Sequence, residues 1–572
     1  MRRLTSTLVL VNFIFFLSCG ALDRLTKKDK STQGEVLYNG IILPGQWPPD
    51  YGPLDYGKYN RQPMPVPYLA TPPAVIPIDV GRQLFVDDFL IEHTTLKRTF
   101  HRAELHRESP VLKPNKPWEM ENRYEEAYGV GDSSTSAMVF SDGVWFDPQD
   151  QLFKMWYMCG YMCSTCIATS SDGIHWQKPS LDAGEAESNI VHNIPIKLRD
   201  SGTVWLDHEE KDADKRYKLF VVYGKGHDWA SYIHASADGI NWGEAIAQTE
   251  KLGDRSTIFY NPFRKKWIYS IRCCQRPTTA KERLRLYYEH RDPIAGAQLA
   301  SKNAVFWLGA DENDPQRPDL NRPCQLYNLD GVAYESLMLG LFTIWPGQPE
   351  TRGKPNYIAL GFSRDGFHWD RPDRRPFINV SEKFGDYNYT NVQSAGGCCL
   401  VVGDKLYFYF SARSGMQNNK FSGECTTGLA ILRRDGFASM DAGDNGGTLT
   451  SRPLRFNGKY LFVNAEVQNG ELHAELLEES GNVIEPFSRE NCVAVRTNKT
   501  LQAVHWNGVN DFAALAGKTV RLRFHLRNGK LYSFWVSPDS SGASHGYIAA
   551  GGPGFTGSRD TVGVMEKEKE QF

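Results

Sequence analysis

Short stretches of this chain repeat, and the repeat restricts the fold more than any other feature. Asp132-Ser133-Ser134-Thr135 runs into apolar residues through Phe140. Asp200-Ser201-Gly202-Thr203 runs into Val204-Trp205-Leu206, and Asp254-Arg255-Ser256-Thr257 into Ile258-Phe259-Tyr260. A turn follows each (Asp147-Pro148, Asp207-His208, Asn261-Pro262), and then an aromatic strand. Each unit ends near an Asp-Gly turn or its relic: Asp172-Gly173-Ile174-His175-Trp176, Asp238-Gly239-Ile240-Asn241-Trp242 and Arg291-Asp292-Pro293. Two more closures follow, Asp365-Gly366-Phe367-His368-Trp369 and Asp435-Gly436-Phe437. The clear closures are separated by one unit (172 to 238), two (238 to 365) and one (365 to 435). A recurring unit of this size, made of short strands and turns, marks a β-propeller, and five closures predict five blades.

Composition agrees with an all-β chain. Aromatics suit half-buried strands and glycine suits tight turns, and the chain has 51 Gly, 14 Trp, 26 Tyr and 30 Phe. Its 572 residues are enough for two or three domains. The predicted order is a signal over 1–20, a Pro-rich linker over 21–78, and a five-bladed β-propeller over 79–445. A C-terminal β-sandwich over 446–540 and a loose tail over 541–572 follow. The sandwich reading rests on alternating strands such as Tyr460–Ala465, Val520–Leu526 and Leu531–Val536, separated by Asn469-Gly470 and Asn528-Gly529.

The N-terminus carries Arg2 and Arg3, an apolar run from Leu8 to Leu17, then Ser18-Cys19-Gly20. This is the pattern of an export signal, and the apolar run is too short to span a bilayer. Cys19 stands where a bacterial lipoprotein is processed; lipidation and simple cleavage weigh equally. The predicted location is the periplasm, the cell surface as a lipoprotein, or the exterior, with membrane contact only through a lipid on Cys19. Net charge is −2 and no long basic run occurs, so nucleic acid is not an expected partner. Cys159, Cys163 and Cys166 have the density of a metal site but lack a nearby fourth ligand, which favours buried cysteines or a disulfide. With no phosphate loop and no zinc-spaced His pair, no cofactor is expected. Oligomeric state leaves no trace in the sequence.

If the repeats align, Asp132, Asp200 and Asp254 head equivalent inner strands and converge on one mouth of the ring. The fourth unit adds Asp330 and Glu335. Crowded carboxylates repel, so one is pushed toward its protonated form while others stay ionised. Glycoside hydrolysis needs such a pair. Trp205, Tyr334 and Trp345 are candidates to stack on sugar faces, with Arg255 and Arg413 as donors. Asp before Ser or Thr is also common turn chemistry, so each aspartate has an equal structural reading. Glu335 is harder to read as a turn former, because it precedes the apolar Leu337-Met338-Leu339.

The Asp-Gly-x-x-Trp turns and aspartate-headed strands, together with Gln83 to Ile91, resemble the five-bladed propeller glycoside hydrolases of families 32 and 43 and their exported bacterial relatives. The resemblance covers residues 79–540. It implies a carbohydrate partner, with Asp132 as nucleophile or base, Asp254 or Asp200 (Asp254 preferred) as the modulating carboxylate, and Glu335 as the acid. No Glu-Cys-Pro surrounds Glu335, whose neighbours are Tyr334 and Ser336. Two alternatives remain: a non-catalytic carbohydrate-binding propeller, and a sugar phosphorylase or lyase.

Overall fold

The structure, a computed structural model, describes residues 34–51, 59–181, 188–226, 228–272 and 282–563. The signal segment with Cys19, and the pair Cys273-Cys274, lie outside the described residues. The described chain is mainly β.

Five antiparallel units follow one another. The first pairs Val144–Asp147 with Leu152–Cys159, then Ser164–Ser170 and Ile190–His192. The second runs Leu198–Leu206, Tyr217–Lys225, Asp228–Ser236, Ala247–Gln248. The third runs Thr257–Asn261, Lys266–Arg272, Arg285–His290, Val305–Leu308. The fourth holds Gln325–Glu335, Leu337–Trp345 and Tyr357–Ser363, and the fifth Thr390–Ser394, Lys405–Arg413 and Glu424–Arg433. The first strand of each unit packs on the first strand of the next. The circuit closes where Glu424-Cys425 of the fifth unit pair in parallel with Thr135-Ser136. One apolar core runs through all five, and every residue of the strand Leu337–Trp345 is buried.

The repeated Asp-Gly turns explain themselves physically. In Asp172, Asp238 and Asp365 one carboxylate oxygen accepts the backbone N–H groups two and three residues on, and a Ser two residues back donates to the same atom. The following Gly173, Gly239 and Gly366 have φ of +75°, +77° and +85°, which glycine adopts without steric cost. An aromatic from another unit latches each turn. Tyr409 Oη donates to the Gly173 carbonyl, Trp156 Nε1 to that of Gly239 and Trp307 Nε1 to that of Phe367. Arg291-Asp292-Pro293 departs from the pattern: Asp292 caps the helix Pro293–Asn303, its side chain accepting from the N–H groups of Ile294 and Ala295.

Two six-stranded sheets form a second layered body. One contains Gly447–Ser451, Leu454–Arg455, Glu471–Leu477 and Thr519–Arg527; the other contains Ala438–Ala442, Tyr460–Glu466, Asn498–Ala503 and Gly529–Ser537. Their apolar faces share one core. Both sheets take strands from the N-terminal side. Gln83–Leu84, read as the propeller's opening, pairs with Gly529–Ser537 instead. Ile91–Thr94 and Lys97–Phe100 pair with Gly447–Ser451 and Ala438–Ala442. Leu37, Ile41, Leu43, Tyr68 and Ile76, assigned to a linker, are buried in that second core. The loose tail is also corrected as far as residue 563. Ala543, Ile548 and Ala550 are buried, and Tyr547–Ile548 pair with Glu335 and Tyr334.

Cys159 and Cys166 form a disulfide, and Cys163 between them is buried and free.

Candidate active site

Register decides which side chains stand at the heads of the units' first strands. Asp200 lies seven residues before the turn residue Asp207, and Asp254 seven before Asn261; seven before Asp147 stands Phe140. Phe140 is therefore the first unit's counterpart of Asp200 and Asp254. Its place is confirmed by the Arg255 guanidinium 3.6 Å above its ring and by Arg413 at 5.2 Å. Asp132 does not head the equivalent strand. The strand it precedes, Thr135–Met138, seals the circuit against the fifth unit, and Asp132 Oδ1 accepts from the N–H and Oγ of Ser134, which is turn chemistry. Seven residues before Glu335 stands Asn328. Glu335 thus occupies the turn end of its strand, five residues or about 17 Å beyond Asp330.

Asp200 and Asp254 arrive together. Ser201 Oγ donates to the carbonyls of Asp254 (3.1 Å) and Ser256 (2.7 Å), which ties the two strand heads to each other. Asp254 Oδ1 accepts the Arg255 N–H and pairs with Arg272. Asp200 Oδ1 accepts the Ser201 N–H. Burial pushes the Asp200 carboxyl above its ordinary range, against the pull of Arg255, Arg272 and Arg199.

Below them lies a buried polar floor. Arg255 donates from Nε to Gln393 (2.9 Å) and from Nη2 to Ser141 (3.0 Å). Asp330 accepts from Ser141, Asn328 and Ser394 at 2.6–3.0 Å, and burial raises its carboxyl. Arg285 donates to the Arg255 carbonyl and to Asn328, and burial beside Arg255 brings it down to about 9. Arg199 pairs with Asp142. Arg413 donates to Ser422 and Tyr161.

Tyr327, half-buried at the start of the fourth unit's inner strand, faces Lys354 and Arg283. Lys354 Nζ donates to its phenol oxygen at 3.0 Å, and the Arg283 guanidinium lies 5.4 Å from its ring centre and 4.5 Å from that of Trp345. Burial alone would raise this phenol; Lys354, Arg283 and Arg272 outweigh it and bring it down to about 7.

Of the residues predicted from sequence, Asp200, Asp254, Asp330, Arg255 and Arg413 meet here, and Trp345 supports Arg283 from behind. Besides Asp132, which ties its turn, three do not meet here. Glu335 is fully buried at the junction of the two bodies. There it pairs with Arg434 (3.0 Å) and Arg82 (3.5 Å) and accepts from Ser544 Oγ and the Arg82 N–H. Tyr334 donates to Asp435 in the same cluster. Trp205 is wedged edge-on between Trp145 and Trp267, at 4.7 and 5.9 Å, too covered to stack on a ligand. Tyr327, Lys354, Arg272, Arg283 and Arg285 were not identified from sequence, because they belong to no repeated pattern.

No family model matches the sequence, and no curated protein is similar to it. Solved structures do match it. One is an N-acetylgalactosamine deacetylase from F. plautii in complex with blood group B trisaccharide (13% identity, TM-score 0.36, 57% of this chain and 97% of that one). Another is a fructofuranosidase from Schwanniomyces occidentalis complexed with fructosylnystose (12%, 0.35, 76% and 98%). A third is a thermostable family-43 glycoside hydrolase (10%, 0.36, 52% and 93%).

Proposed function

We propose that the five units are the blades of a β-propeller, that the second body is a β-sandwich, and that the chain is an exported glycoside hydrolase with its active site at the mouth bearing Asp200 and Asp254. The observation that carries the reading is the difference between two tied carboxylates. Asp200 is pushed toward its protonated form by burial, whereas Asp254 is held against Arg272. Hydrolysis of a glycosidic bond needs one carboxylic acid to protonate the leaving oxygen and one carboxylate to attack the sugar or activate water. Asp200 takes the first role and Asp254 the second. Arg255 and the floor beneath it fix both strand heads, so the pair is pre-positioned. The basic and then apolar start of the sequence supports export.

The test is a sugar-release screen on fructans, arabinans, xylans and algal polysaccharides, with wild type beside Asp200→Asn, Asp254→Asn and Asp132→Asn. Release by wild type and Asp132→Asn, lost in the other two, is the expected pattern. Release retained by Asp200→Asn and Asp254→Asn, or by no protein at all, defeats the assignment.

A further inference from the structure

The segments that lead into Asp200 and Asp254 share a cleft that the hydrolytic reading leaves unused. Its volume is about 480 Å³, inside the range of roughly 300–1,000 Å³ usual for ligand sites. Among the described residues its lining is aromatic where it is covered: Tyr223 and Trp229 are buried and Tyr232 is half-buried. Ile196, Lys197 and Gln248 also line it. Lys197 Nζ donates to the Tyr232 phenol oxygen at 2.7 Å and lies 4.7 Å from that ring. The acidic residues of the cleft are each paired with a lysine, Asp228 with Lys251 (2.7 Å) and Glu250 with Lys302 (2.6 Å). Rings beside such mixed polar groups suit a neutral ligand rich in hydroxyls.

The place of the cleft says what that ligand is joined to. It lies at the head end of the second unit, where Leu198 and Arg199 pair with Gly224 and Tyr223, and Leu252 with Trp229. From Ile196 the chain reaches Asp200 in four residues, and from Lys251 it reaches Asp254 in three. Those steps span no more than about 14 Å and 11 Å even when fully extended. A line of rings leads the same way. Tyr128 Oη accepts the Gly226 N–H at 3.4 Å, Tyr124 lies 4.8 Å from Tyr128 and 6.2 Å from Tyr161, and Tyr161 Oη meets Arg413. Ile196 is 95% exposed with a φ of +63°, a conformation that a β-branched residue adopts only under strain. A ligand lying on its side chain gives that exposed apolar group a purpose.

We propose that this cleft binds the distal part of a neutral carbohydrate chain whose scissile bond lies at Asp200 and Asp254, so that long chains are selected over short ones. The proposal rests on the hydrolase reading of that pair. A chain that fills both places gains affinity because its second contact is made within one complex.

The experiment is calorimetric titration of the full chain, as Asp200→Asn to prevent turnover, with disaccharides and hexasaccharides of inulin, arabinan, xylan and agarose. In at least one series the hexasaccharide binds about tenfold tighter than the disaccharide, and the gain changes little with salt. It falls toward onefold when Gln248→Ala or Ile196→Gly is added. Both side chains are exposed, and glycine accepts the φ of +63°, so neither change should disturb the fold. No gain with length in any series, no binding at all, or a gain left intact by both substitutions overturns the proposal. So does a gain that disappears at high salt, since charge would then be holding the ligand. Length-dependent binding with no cleavage by wild type defeats hydrolysis and leaves this site standing. Cleavage by wild type that is lost in Asp200→Asn, with disaccharide and hexasaccharide bound alike, does the reverse.

Discussion

Lys354 Nζ sits 3.0 Å from the phenol oxygen of Tyr327, and this contact sets the state of the tyrosine. Lys354, with Arg283 and Arg272, overcomes burial and lowers the phenol from 10.0 to about 7. Tyrosinate absorbance in the ultraviolet is therefore expected to rise by one residue's worth near pH 7 in wild type and not in Tyr327→Phe. A titration that begins only near the ordinary phenol value would refute the lowered state. The linkage follows with a definite sign. The folded value lies below the unfolded one, so this group adds stability as pH rises between them. That stability is fully present above the unfolded value and is lost as pH falls through about 7.

Asp200→Asn keeps shape and removes the proton donor, so hydrolysis should fall by roughly 10²–10⁴. Asp132→Asn, whose parent carboxylate only ties a turn, should stay within a few-fold of wild type. Initial rates on the best substrate of the release screen decide the matter; equal losses in both variants would contradict the register derived from Phe140.

Glu335 anchors the junction rather than the chemistry. Burial raises its carboxyl while Arg434 and Arg82 pull it down, and the same two arginines hold the neighbouring Asp435 low, at about 2. Removing one partner of a buried ion pair strands the others, at about 3–5 kcal/mol. Glu335→Ala is thus expected to lower the denaturant midpoint strongly, and Glu335→Gln less. A loss under about 1 kcal/mol in Glu335→Ala would show that the cluster does not hold the junction.

The latches between units can be weighed singly. Tyr409→Phe removes one hydrogen bond and leaves the Gly173 carbonyl unpaired, a cost of about 1–3 kcal/mol. Gly239→Ala should cost at least as much. Its added methyl would meet the Trp156 ring at 2.5 Å, and the residue would be forced to a φ of +77°. Thermal unfolding of each variant checks both; a neutral Gly239→Ala would mean the turn can rearrange.

Much of this was legible in the chain. The Asp-Gly-x-x-Trp turns marked unit boundaries because their chemistry is local: the carboxylate, the two N–H groups and the glycine lie within a few residues. The turn residues Asp147, Asp207 and Asn261 also carried the correct register, since counting seven back from each leads to Phe140, Asp200 and Asp254. Matching the Asp-Ser heads instead put Asp132 in Phe140's place, because a turn aspartate and a strand-head aspartate look alike in sequence. Glu335 misled for a related reason. Its partners Arg82 and Arg434 stand 253 and 99 residues away along the chain, and no local pattern announces a salt-bridge cluster of that kind. Lys354 and Tyr327 were invisible for the same cause, being joined only when the fourth unit's strands align.

The last described stretch of the chain reaches back to the five units. The Ala549 and Ala550 N–H groups donate to the carbonyls of Ala333 and Cys399. The carbonyls of Ala550 and Gly551 accept from the N–H groups of Phe146 and Val401. One short segment therefore stitches together the first, fourth and fifth units. During synthesis all five units emerge before this stitch exists, so they must take shape without it until residues 549–551 have been made. The order of folding is thereby tied to the order of translation: early units can form, but the contacts that join the first, fourth and fifth through this segment come later than any of them.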